Sequence, residues 1–367
     1  MKRFLKNIIA VTYYKFVKFI FLRSTKELSE KNLMFIQTDK IGDIIISSGI
    51  LEDNCIFSDY DNVYLLIKSK YSKLLENYEG KVKIILFDHK QFVSSVFYNF
   101  AFVKYLNKLF ISEVYNISQA RGQINEILTH ITGARVKHVT NNSATYLGER
   151  YLNYWNKKYT SLLFWNIENE YEKISRLLYK FSNHNCETTS EKSFFAHKKL
   201  NIRNESPYII VSPYSSEIVK NWDIENYKAI IERLILSANI YVLCSPGEKK
   251  SALNDFQDFL SNPKFKISTV NLSEVANIIL NSVLFIGNDS GLTHLALKLN
   301  IKTIAIIGGG TFGRYFPVPG KEATAKYFYN ELDCFKCNWV CKYEKPVCLS
   351  NVKVNEVLNY ISNNKIL

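Results

Sequence analysis

The stretch Phe285-Ile286-Gly287-Asn288-Asp289-Ser290-Gly291-Leu292-Thr293-His294 decides how the chain is read. An apolar run runs into a small polar turn, and residues at helical spacing follow at once, which is the strand–turn–helix unit of a parallel α/β sheet. The first turn of such a helix leaves N–H groups without intrahelical acceptors, and the helix dipole adds to their pull on an anion. Gly291 lets a phosphate come close to the backbone. Ser290 and His294 stand four apart and face one side of the helix. The same letters also suit a plain reading, with Asp289 or Ser290 as an N-cap and His294 as a packed histidine. Spacing does not choose between the two.

Outward from this stretch the same alternation recurs. In the second half, strands are expected at Tyr208–Ser212, Ile240–Cys244, Val283–Ile286 and Thr303–Ile307, with helices at Trp222–Ser237, Glu248–Leu260, Ser273–Leu280, Gly291–Leu299 and about Val352–Ile361. In the first half, strands are expected at Leu33–Gln37, Val63–Ile67, Val82–Phe87 and Glu113–Ile117. Strands separated by helical segments imply mostly parallel sheets, so the fold class is α/β with two Rossmann-like halves facing across a cleft. A helix is expected over Glu170–Phe181, and the polar stretch Asn183–Asn204 reads as loops at the domain boundary. The expected organisation is a basic amphipathic segment at 1–29, Rossmann-like domains at 30–190 and 205–350, and a C-terminal helix at 351–367. In such sheets the default site lies outside the carboxyl ends of the strands.

Two further segments carry chemistry. Thr38-Asp39-Lys40-Ile41-Gly42-Asp43 closes the first strand. A carboxylate at Asp43 can take a proton from an acceptor hydroxyl, or it can cap the helix that follows. Ser212-Pro213-Tyr214-Ser215-Ser216, followed by Lys220-Asn221-Trp222, offers hydroxyls and a compact ammonium, which suit a pyrophosphate or simply make a polar loop.

Taken together, the three segments resemble glycosyltransferase family nine, the heptosyltransferase family of lipopolysaccharide core assembly. The matching elements are Lys40-Ile41-Gly42-Asp43, the hydroxyl-rich loop ending in Lys220 and Trp222, and Asn288-Asp289-Ser290-Gly291 with His294. The resemblance implies a GT-B fold and an inverting transfer that needs no metal and no cofactor, with the nucleotide-sugar as substrate. It implies Asp43 as general base. Ser215, Ser216, Lys220, Glu248, Asp289, Ser290, Gly291 and His294 would be donor contacts, and Lys40 and Arg121, in turns that close strands of the first half, acceptor contacts. Gly308 to Thr311, after the next strand, would line the same cleft. ADP-heptose is the family donor, and a lipopolysaccharide core or related glycolipid the acceptor. The stretch Tyr146–Lys180 aligns with nothing in that pattern, and Gly49 stands where many members have proline.

Bulk properties agree with an anionic partner. The 367 residues carry a formal charge of +13 and are 47% hydrophobic, enough for two cores. The 23 N-terminal residues hold six Lys and Arg and no acid, with apolar runs too short to span a bilayer, so a helix lying on the inner face of the cytoplasmic membrane is expected, the alternative being an ordinary helix packed on the protein. Seven cysteines, an odd number, fit a reducing cytoplasm rather than a paired secreted framework. Cys334, Cys337, Cys341 and Cys348 cluster, and zinc, free thiols and disulfides all remain open for them. Asp59-Tyr60-Asp61 precedes a strand and reads as a solvated turn. No stacking platform is apparent, and nucleic acid is not an expected partner. The rival functions are another nucleotide-sugar enzyme on this fold, such as an epimerase or a transferase of a different sugar, and an inactive membrane-associated donor-binding protein.

Overall fold

The computed structural model describes residues 2–21, 30–52, 56, 59–140, 144–145, 147–163, 166–181, 195, 207–269 and 271–366. The loop expected at Asn183–Asn204 lies, apart from residue 195, outside the described residues. The chain divides into two compact units, Met1–Ser72 with Glu79–Glu191, and Lys73–Tyr78 with Lys192–Leu367.

The first unit runs α1 (Lys2–Phe21), β1 (Asn32–Gln37), α2 (Ile41–Ser47), α3 (Gly49–Glu52), β2 (Asn62–Lys68), β3 (Lys83–Phe87), α4 (His89–Ser94) and α5 (Val96–Lys108). It continues with β4 (Ile111–Asn116), β5 (Ala120–Arg121), α6 (Gln123–Ile131), β6 (Val136–Thr140), β7 (Ala144–Thr145), α7 (Glu149–Asn156), β8 (Ser161–Leu163) and α8 (Glu170–Phe181). Six of these strands form one sheet in the order β3-β2-β1-β4-β6-β8, every pairing parallel. All six residues of β1 are buried, which is why Leu33–Ile36 reads as an uninterrupted apolar run: helices cover both faces of a parallel sheet. On one face Met34 and Ile36 join Phe102, Val103, Leu106, Leu128, Ile131 and Trp155 in a core. On the other, Phe35 meets Tyr115 and, edge-on at 5.9 Å, Phe181 of α8. Gly49 is pressed against this helix, since a Cβ there would stand 3.0 Å from Leu178.

The second unit runs β9 (Tyr208–Ser212), α9 (Ile224–Leu234), β10 (Asn239–Cys244), α10 (Lys249–Asp255), β11 (Phe265–Thr269), α11 (Val275–Leu280), β12 (Leu284–Asn288) and α12 (Gly291–Lys298). It ends with β13 (Thr303–Ile306), β14 (Ala325–Phe328), α13 (Val347–Ser350) and α14 (Val354–Asn363). Its sheet has the order β11-β10-β9-β12-β13-β14, again all parallel. Trp222, Tyr227, Ile230 and Ile231 form its core with Val357 and Ile361 of α14. The C-terminal helix set apart at 351–367 is therefore part of this unit: its apolar side, too small to fold alone, is buried in the common core.

Both sheets thus share one doubly wound order, with the second unit's strands standing in the places of the first's. Among the twelve strands of the two six-stranded sheets, the sequence reading missed β6, β8, β11 and β14. These lie towards or at the sheet edges, where half-solvated strands lose the continuous apolar run. In β11 (FKIST) only Phe265 is fully buried. It also passed over the α4–α5 corner. There Asp88 caps α4 through the Gln91 N–H (2.9 Å), and Ser95 ends that helix and caps α5 through Tyr98 N–H (3.3 Å).

The N-terminal helix is present. It docks on the first unit through Ala10, Tyr14 and Val17, which join the core, so one side of it packs on protein rather than lying on another surface. Among the described residues no helix is long and apolar enough to cross a membrane.

Candidate functional site

In a doubly wound sheet the crossovers run in opposite directions from a central pair of strands, and the loops leaving that pair diverge to open a crevice. In the second unit the pair is β9 and β12. Ser215, Ser216 and Lys220 follow β9, and Asp289 and Ser290 follow β12, so the sheet itself brings these sequence-predicted residues together.

Asn288 ties the two loops. Its side-chain oxygen accepts from Trp222 N–H (3.0 Å) and the Tyr227 hydroxyl (2.8 Å), and its amide donates to the Pro213 carbonyl (2.7 Å). The side chain is fully buried with its oxygen and its amide nitrogen both engaged, which makes it a rigid bracket. Lys220 Nζ then reaches Asp289 at 3.2 Å, with the two side chains 15% and 9% exposed. Thr311 Oγ1 lies 3.5 Å from the same carboxylate. Lys220 also stands over the rings of Trp339 (5.4 Å) and Tyr315 (5.7 Å), which hold the ammonium by its charge.

Ser290 is the N-cap of α12, its hydroxyl accepting from Thr293 N–H at 3.4 Å. Helix geometry leaves the N–H groups of Gly291 and Leu292 without an intrahelical acceptor. The cap reading and the anion reading of this turn are therefore compatible: the hydroxyl serves one amide while two others face outward from the helix end.

His294 is buried and stacks on Phe316 at 4.3 Å, 12° between planes. Burial, with Lys220 nearby, pulls its pKa down to about 3, so the imidazole is neutral and offers no positive charge. The packed-histidine alternative describes its surroundings.

Ser215 is drawn into its own loop: its N–H goes to Asn221 Oδ1 (2.9 Å) and its hydroxyl to the Glu217 carbonyl (2.7 Å). Ser216 is exposed. Glu248 lies elsewhere, after β10, where its carboxylate accepts Ser245 N–H at 2.8 Å and closes the Ser245–Glu248 turn.

The glycines at 308–310 have a role the sequence did not reveal. A Cβ on Gly309 would lie 2.2 Å from Phe335, and one on Gly310 2.3 Å from Trp339. The 335–339 loop closes over them, with Lys336 N–H and Asn338 N–H donating to the carbonyls of Gly309 (2.7 Å) and Gly310 (2.8 Å). Lys336, Asn338 and Trp339 adopt left-handed backbone (φ 64, 50 and 62°) to make this turn. Trp339 and Tyr315 are the parts of the site that sequence reasoning missed; only their closeness in space to Lys220 reveals them.

Cys334, Cys337, Cys341 and Cys348 line a small cavity beside this loop as free thiols, which removes the disulfide alternative. Burial pushes the Cys348 thiol up, and Gly309 N–H lies 3.4 Å from its sulfur. Among the described residues no group of three or more His, Cys, Asp or Glu is arranged to hold a metal ion.

In the first unit the switch pair is β1 and β4. Lys40 and Asp43 follow β1, and the loop to Arg121 follows β4. Asp43 is the third residue of α2 and accepts Lys40 N–H at 2.8 Å, closing a capping turn with one oxygen. The side chain is partly exposed.

Asp39 fastens the two loops together. Its carboxylate accepts from Gln119 N–H and from Ala120 N–H (3.3 Å). Thr38 continues the link, its N–H going to Ser118 Oγ (3.2 Å) and its hydroxyl to Asn125 (2.6 Å). Burial raises Asp39 to about 6 against the opposing pull of those amides and of Lys68.

Arg121 is a correction. Its side chain is wholly buried, paired with Glu126 at 2.5 Å and bonded to Asn156. A guanidinium enclosed with its carboxylate, and packed on the Tyr159 ring at 5.2 Å, is a structural ion pair and not an acceptor-facing cation. The sequence around Arg121 gave no sign of this, because its partner Glu126 lies in the helix that follows.

Two doubly wound parallel sheets, each with a polar constellation at its switch point, define the GT-B class of α/β architecture. Solved structures bear out the fold. Escherichia coli heptosyltransferase WaaC with ADP superposes with a TM-score of 0.63 at 14% identity, covering 91% of this chain and 98% of that one. The glycosyl transferase family 9 structure from Veillonella parvula does so with a TM-score of 0.67 at 13% identity, covering 93% and 98%. Lipooligosaccharide heptosyltransferase 2 of Campylobacter jejuni is 24% identical over 168 residues, 44% of this chain and 52% of that relative, so the match spans about half the relative's length. The family model described as glycosyltransferase family 9 (heptosyltransferase) matches residues 157–344, just over half of the chain, and the chain belongs to that family. The match begins inside the Tyr146–Lys180 stretch, which aligns with none of the three motif segments.

Proposed function

We propose that this protein is an inverting glycosyltransferase that moves a sugar, by family expectation heptose from ADP-heptose, onto a hydroxyl of a lipopolysaccharide core or related glycolipid. The observation that carries the reading is the Lys220–Asp289 pair at the start of α12, bracketed by Asn288 at the second unit's switch point. In this reading the donor's diphosphate sits on the outward N–H groups of Gly291 and Leu292, with Ser290 beside them. Lys220, aimed by Asp289 and flanked by two rings, gives its remaining protons to the phosphate oxygens. Ser215 and Ser216 edge the same pocket, and Glu248 takes the donor ribose. His294 supports the turn from beneath as a neutral group.

Asp43, whose carboxylate also closes the capping turn, accepts the acceptor hydroxyl's proton as the hydroxyl oxygen bonds to the anomeric carbon. The bond from that carbon to the diphosphate breaks, and the negative charge that develops on the leaving phosphate is met by the helix amides and Lys220. Those groups supply the charge that the step requires, so the reading calls for no metal and no cofactor. Lys40 lies at the acceptor side. A glycolipid acceptor brings the protein to the inner face of the cytoplasmic membrane.

The test is Asp43→Asn. It should retain nucleotide-sugar binding, seen as thermal stabilisation that rises with ligand, while turnover falls by roughly 10²–10⁴-fold. Wild-type turnover in the variant would end Asp43's role. Product analysis separates the rivals: free nucleotide with a glycosylated lipid supports transfer, an altered donor without acceptor means an epimerase, and binding with no product at all means an inactive binder.

A further inference from the structure

We propose that α1 and the α4–α5 corner together form an interfacial face of the first unit that seats on an anionic lipid bilayer. This deepens the glycolipid-acceptor reading and rests on it only for its purpose, since membrane binding is measured without any sugar transfer.

Because Ala10, Tyr14 and Val17 turn into the core, the other side of α1 points away from the protein. That side carries Ile9, Phe16, Phe19 and Ile20, with Phe19 92% exposed. It continues onto a second element. Tyr13 donates its hydroxyl to Asn99 of α5 and packs edge-on against Phe92 of α4, and Phe16 meets Phe100 of α5 at 6.3 Å. One turn before Phe100, Phe97 is 90% exposed, with Val93 and Val96 beside it also exposed. The Ser95 break between α4 and α5 is what turns Val93, Val96 and Phe97 outward at one corner.

Charge identifies the occupant. Residues 1–26 contain no Asp or Glu, and neither do residues 89–112, which hold Lys90, Lys104 and Lys108. Along the flank of α1 the exposed Lys15 and Lys18 stand near Lys137 and Lys158, whose pKa values burial and these neighbouring ammoniums depress. Lys158 lies over the rings of Tyr154 (4.5 Å) and Tyr14 (5.6 Å). An apolar aromatic face edged by lysines and free of acids over both segments matches an anionic headgroup layer above acyl chains: rings enter the boundary and ammoniums reach phosphates. A second copy of the same face would set lysines against lysines, which the missing acids cannot offset.

The experiment is co-sedimentation of the full chain with vesicles of phosphatidylcholine alone or mixed with phosphatidylglycerol. Wild type should pellet with the mixed vesicles, far less with phosphatidylcholine, and less again at high salt. Phe97→Ser alone should weaken binding severalfold, and Phe19→Ser with Phe97→Ser by roughly tenfold or more. Both positions are exposed, so folding is not at risk. Failure of wild type to bind mixed vesicles overturns the proposal, as does salt-insensitive binding equal on both lipids. Full binding by Phe97→Ser removes the α4–α5 corner from the face. Dimerisation that Phe97→Ser abolishes, without vesicle binding, assigns the face to a second copy instead. Transfer to a water-soluble acceptor fragment should be unchanged in these variants, so vesicle binding without transfer would defeat the enzymatic reading and leave this one standing.

Discussion

The β12–α12 turn of the second unit and the β1–α2 turn of the first have the same anatomy, a buried central strand passing through a few polar residues into a helix at the sheet's switch point. Their electrostatics are opposite. After β12 the charges are resolved internally: Lys220 and Asp289 pair, His294 is held neutral, and Ser290 caps the helix. What remains outward is amide dipole and spare ammonium protons, a setting for anions. After β1 two carboxylates stand within five residues. Asp43 caps α2, and Asp39, raised by burial, fastens the loop after β4. That turn carries negative charge at partly exposed positions, a setting for protons. Identical backbone topology therefore does not fix the chemistry; the sign of the residues that complete each turn does.

The largest effect expected from this contrast comes from unbalancing the pair in the second unit. Lys220→Met strips the cation from a mostly buried carboxylate and should destabilise the second unit by about 2–3 kcal/mol, read by urea unfolding or by hydrogen exchange in peptides from β12 and α12. Asp289→Asn should cost less, because the lysine stem can carry its ammonium to water. The double variant Lys220→Met/Asp289→Asn should recover most of the stability while donor binding stays lost. Additive losses across the cycle would show that the two side chains are not coupled.

A second effect concerns pH. His294 has a folded pKa of about 3, below its usual 6.5, so the unfolded chain binds the extra proton between those values. Its contribution to stability is whole above about 6.5 and is lost as pH falls through that window, on the order of a few kcal/mol at the acid end. His130 of the first unit, buried against Trp155 with its pKa held well below 6.5, acts in the same direction. His294→Gln should flatten only the second unit's share. An acid-limb slope unchanged in peptides of β12 and α12 would mean that His294 already accepts a proton in the folded protein.

How much of this was legible beforehand follows from where the physics is local. The central strands β1, β9 and β12 announce themselves, because a strand buried on both faces needs a continuous apolar run. The turns after β1 and β12 are also local, so Asp43, Asp289 and Ser290 could be picked from spacing. Arg121 went wrong for the opposite reason. Whether a basic residue after a strand faces solvent or closes on a carboxylate depends on Glu126, Asn156 and Tyr159, which come together only in three dimensions. Trp339 reaches Lys220 through a loop more than a hundred residues away, and the glycines at 308–310 are small because Phe335 and Trp339 lie on them. No one-dimensional pattern carries that.

The smallest effect separates the two turns most sharply. Asp39 has a folded pKa of about 6, above its usual 3.8, with burial as the main cause and the Gln119 and Ala120 amides and Lys68 opposing it. The folded protein binds the extra proton between these values, so this group's contribution makes stability fall as pH rises from about 3.8 to about 6, the reverse of His294. Above that range the deficit is constant. Asp39→Asn keeps an oxygen for the Gln119 N–H and removes the charge that burial penalises. The variant should therefore melt about 2–4 °C higher than wild type at neutral pH, converging with it as pH approaches 4. A lower melting temperature at neutral pH would mean that the carboxylate's bonds to the loop outweigh its desolvation. The first unit's turn would then be held by charge, as the second unit's is, and the contrast between the two would fail.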